Sequence, residues 1–122
     1  VTGLELHPAS VARAQRNAAR NGLQHCTHFE LGTVAVNLAS ALAHGADAVL
    51  VDPPRKGLEP AVVETLIAQP VRTLCYLSCD PATLARDLAL LCREGSYRIE
   101  RIQPLDFFPN TSHIETLVVL SS

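Results

Sequence analysis

The sequence contains no apolar run approaching the roughly 20 residues of a membrane-spanning helix, and no basic-then-apolar leader opens it. A soluble, cytoplasmic protein with no membrane partner is therefore expected. Positive charge is not in excess either. Lys and Arg number 10 against 12 Asp and Glu, for a net charge of −2. That excludes a generally basic nucleic-acid coat, because phosphate binding rests on Lys and Arg, but it leaves open an enzyme that grips nucleic acid through another domain. The four cysteines, Cys26, Cys75, Cys79 and Cys92, include no C-x-x-C pair, and the five histidines are scattered. No metal site is expected, since ligands come in spaced clusters, and no disulfide scaffold, since nothing points to secretion. Internal repeats, low-complexity stretches, linkers and a glycine-rich phosphate loop are also missing.

What is present is enough apolar material for a core: 48% of 122 residues are hydrophobic. Two periods alternate along the chain. Val1 to Leu6 reads as a strand and Ser10 to Asn21 as a helix stopped by Asn21-Gly22. Cys26 to Leu31 reads as a strand and Val34 to Ala43 as a helix ending at Gly45. Ala46 to Val51 is a strand running into Asp52-Pro53-Pro54, and Pro60 to Ala68 is helical. Arg72 to Ser78 is a strand, after which Asp80 caps a helix with Pro81 in its first position, reaching about Arg93. Strands over Tyr97 to Asp106 and Ile114 to Ser121, with no helix between them, predict an antiparallel finish. Alternating elements with continuously apolar central strands predict an α/β fold: a mostly parallel sheet with helices on both faces.

Ligands of such sheets sit beyond the carboxyl ends of the strands, which singles out a few residues. Glu5 ends the first strand, where a carboxylate either accepts ribose hydroxyls or is merely solvated. Asp52 opens a loop stiffened by consecutive prolines. Cys79 lies between a strand and a helix whose N-terminal dipole favours a thiolate, whereas Cys75 and Cys92 fall inside elements and fit small buried hydrophobes. Phe107 and Phe108 begin a loop that leads to His113 and Glu115; those rings either stack on a base or plug the core. Glu115 stands at the head of an apolar strand, an odd place for a charge without a role.

Taken together, Val-Asp-Pro-Pro-Arg-Lys-Gly (51–57), Ser-Cys-Asp-Pro-Ala-Thr-Leu-Ala-Arg-Asp (78–87) and Phe-Pro-Asn-Thr-Ser-His-Ile-Glu (108–115) resemble the RNA 5-methyluridine methyltransferase family, as do Gly-Leu-Glu (3–5) and Asn-Ala-Ala-Arg-Asn-Gly (17–22). The resemblance implies a class I, Rossmann-like fold that uses S-adenosylmethionine, with tRNA or 23S ribosomal RNA as partner. It implies that Cys79 is the nucleophile that adds to carbon 6 of uracil and that Glu115 is the base that takes the proton from carbon 5. Glu5 would bind the cofactor's ribose, and Asp52 would lie at its methionine end.

Two departures temper the match. The family's first strand and glycine-rich loop would lie upstream of Val1, so residues 1–122 are expected to be the C-terminal part of a catalytic domain whose N-terminal region is absent. Its sheet should then be interrupted, closed by repacking or by self-association, and the piece inactive alone. At the strand that is the family's third, where the family usually offers a polar side chain to the adenine, the match falls on Glu30-Leu31-Gly32, and no adenine contact is carried over. Alternatives are a methyltransferase of the same fold acting on cytosine or a nitrogen, a non-catalytic RNA- or protein-binding remnant, and, more distantly, a nicotinamide-dependent oxidoreductase resting on Glu5 and the fold alone.

Overall fold

The computed structural model describes residues 1–111 and 113–122, so Ser112 of the 108–115 motif lies outside the described residues. The chain forms two compact units, Val1–Gly45 and Ala46–Ser122.

Val1–Gly45 is a parallel strand–helix–strand crossover followed by a second helix. Strand β1 (Thr2–Glu5) leads to helix α1 (Pro8–Arg20), strand β2 (His28–Leu31) and helix α2 (Val34–Ala43). The strands pair in parallel from Thr2 opposite His28 to Glu5 opposite Leu31. Helix α1 begins two residues earlier than the periodicity predicts, with Pro8 at its first position and His7 before it. Proline is pre-set for that position, where its missing N–H would have no helical partner anyway. The predicted stop at Asn21-Gly22 is present: Gly22 takes φ +69, and Leu23 N–H returns to Ala18 O at 2.8 Å, closing the helix end with a left-handed residue. Helix α2 is capped by Thr33, whose Oγ1 accepts from Val36 N at 3.3 Å. The buried apolar residues of this unit are Val11, Ala18, Leu38 and Leu42.

In Ala46–Ser122, strand β3 (Ala48–Val51), helix α3 (Pro60–Ala68), strand β4 (Thr73–Ser78) and helix α4 (Pro81–Leu91) are followed by a 3-10 turn over Arg93–Gly95 and by strands β5 (Arg98–Leu105) and β6 (Glu115–Ser121). The four strands form one sheet in the order β3-β4-β6-β5. Strands β3 and β4 are parallel, whereas β6 is antiparallel to both its neighbours. The expected antiparallel finish is there, but β6 inserts beside β4 and leaves β5 at the edge. Helix α4 ends at Leu91, short of Arg93, because its last turn tightens to 3-10 geometry. The strands of the described residues make two hydrogen-bonded sheets, one in each unit.

The core of this unit is built on one sheet face. Continuous apolarity predicts burial on both faces of β4, yet burial alternates along it. Leu74, Tyr76 and Ser78 are buried, while Cys75 and Leu77 are half-buried and Leu50 of neighbouring β3 is 70% exposed. Leu66, Leu91, Val118 and Leu120 complete the sealed side. No helix among the described residues is long and apolar enough to cross a membrane.

Candidate active site

The carboxyl end of β4 is organised by short polar contacts. Ser78 Oγ donates to Asp80 O at 3.0 Å and accepts from Asp80 N at 3.2 Å, a reciprocal pair that brackets Cys79. Asp80 caps α4 as predicted: its Oδ1 accepts from Ala82 N at 3.0 Å and Thr83 N at 2.9 Å, with Pro81 in the first helical position. Those bonds, the Thr83 N–H first among them, hold the Asp80 carboxyl below its ordinary pKa. Cys79 is half-buried and reduced, between the end of β4 and the N-terminus of α4. Burial raises the thiol pKa of Cys92, as befits an apolar packing residue.

Register then brings Glu115 into play. Strand β6 runs against β4 from Ser121 opposite Thr73 to Thr116 opposite Ser78. Carried one residue further, that register sets Cys79 against Glu115, one step past a ladder whose opposed Cα atoms lie about 4.5–5.5 Å apart. Glu115 is half-buried and pairs on its other side with Leu105 of β5. By the alternation of a strand, Glu115 follows Leu117 on the half-open face, and Cys79 comes directly after Ser78, the last residue of β4. Asp52 is the first residue after β3, exposed, and follows the Val51–Tyr76 pair. Asp52, Cys79 and Glu115 therefore share one end of the four-stranded sheet. Glu5 belongs to the other unit, where it ends β1; its Oε1 accepts from His7 N at 2.7 Å.

The loop after β3 is held by side chains of α4. Thr83 Oγ1 donates to Arg55 O at 2.9 Å and Arg86 Nη2 to Lys56 O at 2.9 Å. Asp87, 1% exposed, gathers the rest. Its Oδ2 accepts from Leu58 N at 2.8 Å and from Tyr76 Oη at 2.7 Å. Its Oδ1 accepts from Arg86 Nε at 2.9 Å and Nη2 at 2.7 Å. Gly57 turns the loop at φ +78, and a Cβ there would meet Asp87 Oδ2 at 2.5 Å, so the position demands glycine twice over. Sequence reasoning missed Asp87. The signal was available: it stands three residues after Leu84 and four before Leu91, on the apolar stripe of α4, where a charge requires partners.

Arg55 also reaches the loop before β6, where its Nη2 lies 3.1 Å from His113 Nδ1. A guanidinium only donates, so Nδ1 is the acceptor in that bond. Phe108 meets His113 edge-on at 6.4 Å. Phe107 and Phe108 are 55% and 52% exposed, which removes the reading in which they plug the core. The described residues hold no cluster of three or more potential metal ligands.

The chain superposes on a crystal structure of Pyrococcus abyssi tRNA (uracil-54, C5)-methyltransferase in complex with S-adenosyl-L-homocysteine, with a TM-score of 0.83 and 35% identity over 98% of this chain and 28% of that one. A Streptococcus thermophilus rRNA methylase shares the fold at a TM-score of 0.72 and 12% identity, over 100% of this chain and 72% of that one. The fold is thus that of the Rossmann-like, class I S-adenosylmethionine-dependent methyltransferases. Among sequences, an uncharacterized RNA methyltransferase of Parasynechococcus marenigrum is 51% identical over 98% of the chain, and one of Nostoc sp. is 48% identical over 97%. The chain spans 26% and 25% of the length of those two relatives. The family model for tRNA (uracil-5-)-methyltransferases matches residues 27–122, and the chain belongs to that family.

Proposed function

We propose that the protein containing this chain transfers a methyl group from S-adenosylmethionine to carbon 5 of a uridine in RNA, through a covalent adduct at Cys79. The observation that carries the reading is the β4–β6 register, whose last pair, Ser78 with Thr116, is flanked by a half-buried thiol at a helix start and a half-buried carboxylate at a strand start. Neither group has an evident packing reason to be there. The family name and the Pyrococcus relative support tRNA as the RNA class.

The residues present fit the cofactor. Ribose hydroxyls and a cationic methionine end call for carboxylates; within its own unit Asp52 directly follows the parallel strand β3, and within the other Glu5 is the last residue of the parallel strand β1, each a strand end of the kind at which open α/β sheets bind ligands. When bound, S-adenosylmethionine supplies an electrophilic methyl group on a sulfonium. Cys79 attacks carbon 6 of the uracil as thiolate, forming an Sγ–C6 bond and shifting the C5–C6 π pair toward carbon 5, which would take the methyl as the methyl–sulfonium bond breaks and S-adenosylhomocysteine leaves. Glu115 then removes the carbon 5 proton, and breakage of the Sγ–C6 bond restores the double bond and returns the thiolate. Covalent addition is needed because carbon 5 of uracil alone is too weak a nucleophile. The target base must leave its stack to reach Cys79.

RNA carrying 5-fluorouridine tests the scheme in the full-length protein, since fluorine at carbon 5 blocks the step assigned to Glu115. With S-adenosylmethionine present, the wild type should be trapped as a covalent protein–RNA complex and Cys79→Ala should not. Full turnover by Cys79→Ala would overturn the reading in favour of nitrogen methylation. Absence of any methyl transfer by the wild type, to tRNA or to ribosomal RNA, would favour a binding remnant.

A further inference from the structure

We propose that Asp87 is a positioning residue, fixing the loop that carries Asp52 against the helix that presents Cys79; the proposal rests on the function proposed above. Four donors from three separate places converge on this one buried carboxylate: Tyr76 Oη from β4, Leu58 N from the loop, and two nitrogens of Arg86. Arg86 in turn holds Lys56 O. The loop is thus gripped at Lys56 by Arg86 and at Leu58 by Asp87, a few residues after Asp52-Pro53-Pro54, by neighbouring side chains about two turns into the helix that begins beside Cys79. Gly57 lets the loop backbone press against the carboxylate itself.

A carboxylate is the side chain that fits. Every partner of Asp87 is a donor, so an acceptor-only group satisfies them all, whereas an amide must aim its NH2 at one pair of donors. Asp87→Asn therefore releases either Leu58 or Arg86, and both are holds on the loop. If Asp52 meets the cofactor and Cys79 the base, a slack loop misplaces the methyl donor relative to carbon 5. A displacement of about 1 Å can cost about 100-fold in rate.

The experiment compares Asp87→Asn with Tyr97→Phe in the full-length protein. Tyr97 supplies a matched control: 3% exposed, it accepts a hydrogen bond from Val71 N at 2.9 Å, before the start of β4 and away from the loop. Steady-state methyl transfer and the rate of trapping by 5-fluorouridine RNA are measured well below both melting temperatures. Asp87→Asn should raise KM for S-adenosylmethionine and lower kcat and the trapping rate at saturating cofactor by about 10-fold or more. Tyr97→Phe should leave all three at wild-type values. If the two variants behave alike while the wild type is trapped normally, the positioning role is overturned and the function stands. If the wild type itself is not trapped, the reading beneath the proposal has failed. Should Asp87→Asn not fold, Tyr76→Phe replaces it, keeping the carboxylate and removing one of its moorings; turnover below that of Tyr97→Phe supports the role, and equal turnover overturns it.

Discussion

The two ends of β4 are held by tyrosines of equal depth and opposite chemistry. Before the strand begins, Tyr97 accepts a bond from Val71 N; near its end, Tyr76 donates to the Asp87 carboxylate. Both rings are buried, at 3% and 0% exposure, and burial is the leading reason that both phenols ionise less readily than usual. At Tyr76 the nearby carboxylate adds to that effect, whereas at Tyr97 the Val71 N–H opposes it. One hydrogen bond closes a core with neutral groups. The other belongs to a charged network that reaches the loops around Cys79. Buried charge is hard to satisfy, and here it is found at the end where loops must be held in a fixed relation.

Removing the centre of that network should produce the largest effect. Asp87→Ala leaves the Tyr76 hydroxyl, the Leu58 N–H and the Arg86 guanidinium without their acceptor. We expect a loss of about 3 kcal/mol, because buried donors left unpaired cost about 1–3 kcal/mol each and relaxation recovers part. Urea unfolding of wild type and variant gives the number. A loss below that of Tyr97→Phe would erase the contrast between the two ends.

Tyr76→Phe and Tyr97→Phe compare the ends directly. A hydrogen bond to a charged partner contributes about 1.5–3 kcal/mol and a neutral one about 0.5–1.5 kcal/mol. Tyr76→Phe should therefore lose about twice as much as Tyr97→Phe at neutral pH. Alkaline unfolding sharpens the point. The folded phenol of Tyr76 has its pKa raised above the ordinary 10.0, so its contribution is complete below that value. Above it the unfolded chain ionises first and the contribution falls, so the margin of wild type over Tyr76→Phe should narrow. A margin that stays constant to high pH would mean that the hydroxyl carries no such coupling.

This contrast was only half legible in the sequence. The start of α4 could be read because its signals are local: Asp80 and Pro81 are adjacent, and the cap bonds run to Ala82 and Thr83. Helices Val34–Ala43 and Pro60–Ala68 fall where Gly45 and Pro60 punctuate the chain. At Asp87 the place on the apolar stripe of α4 signals that the charge has partners, but not which, since Leu58 and Tyr76 are remote in sequence. That Cys79 and Glu115 flank the same strand pair, Ser78 with Thr116, needed the β4–β6 register, which depends on β6 inserting between β4 and β5. Motif resemblance paired those two residues without saying which strands bring them to one end of the sheet.

The smallest effect is expected at Asp80, which follows Cys79 in the chain. Its cap bonds hold the carboxyl below the ordinary 3.8, so its charge contributes stability above that value and loses it as pH falls through the lower, folded one. Asp80→Asn keeps an oxygen able to cap the helix and removes only the charge at the positive helix end. Thermal melting should then show a small deficit for Asp80→Asn at pH 7 that closes toward pH 3, mirroring the alkaline loss at Tyr76. The two titrations bracket neutral pH from opposite sides and report on the same end of β4. Tyr97→Phe should show no acid-side change. A deficit at Asp80→Asn that persists unchanged into acid would assign the effect to lost cap geometry, and charge would no longer distinguish the end of β4 that carries Cys79.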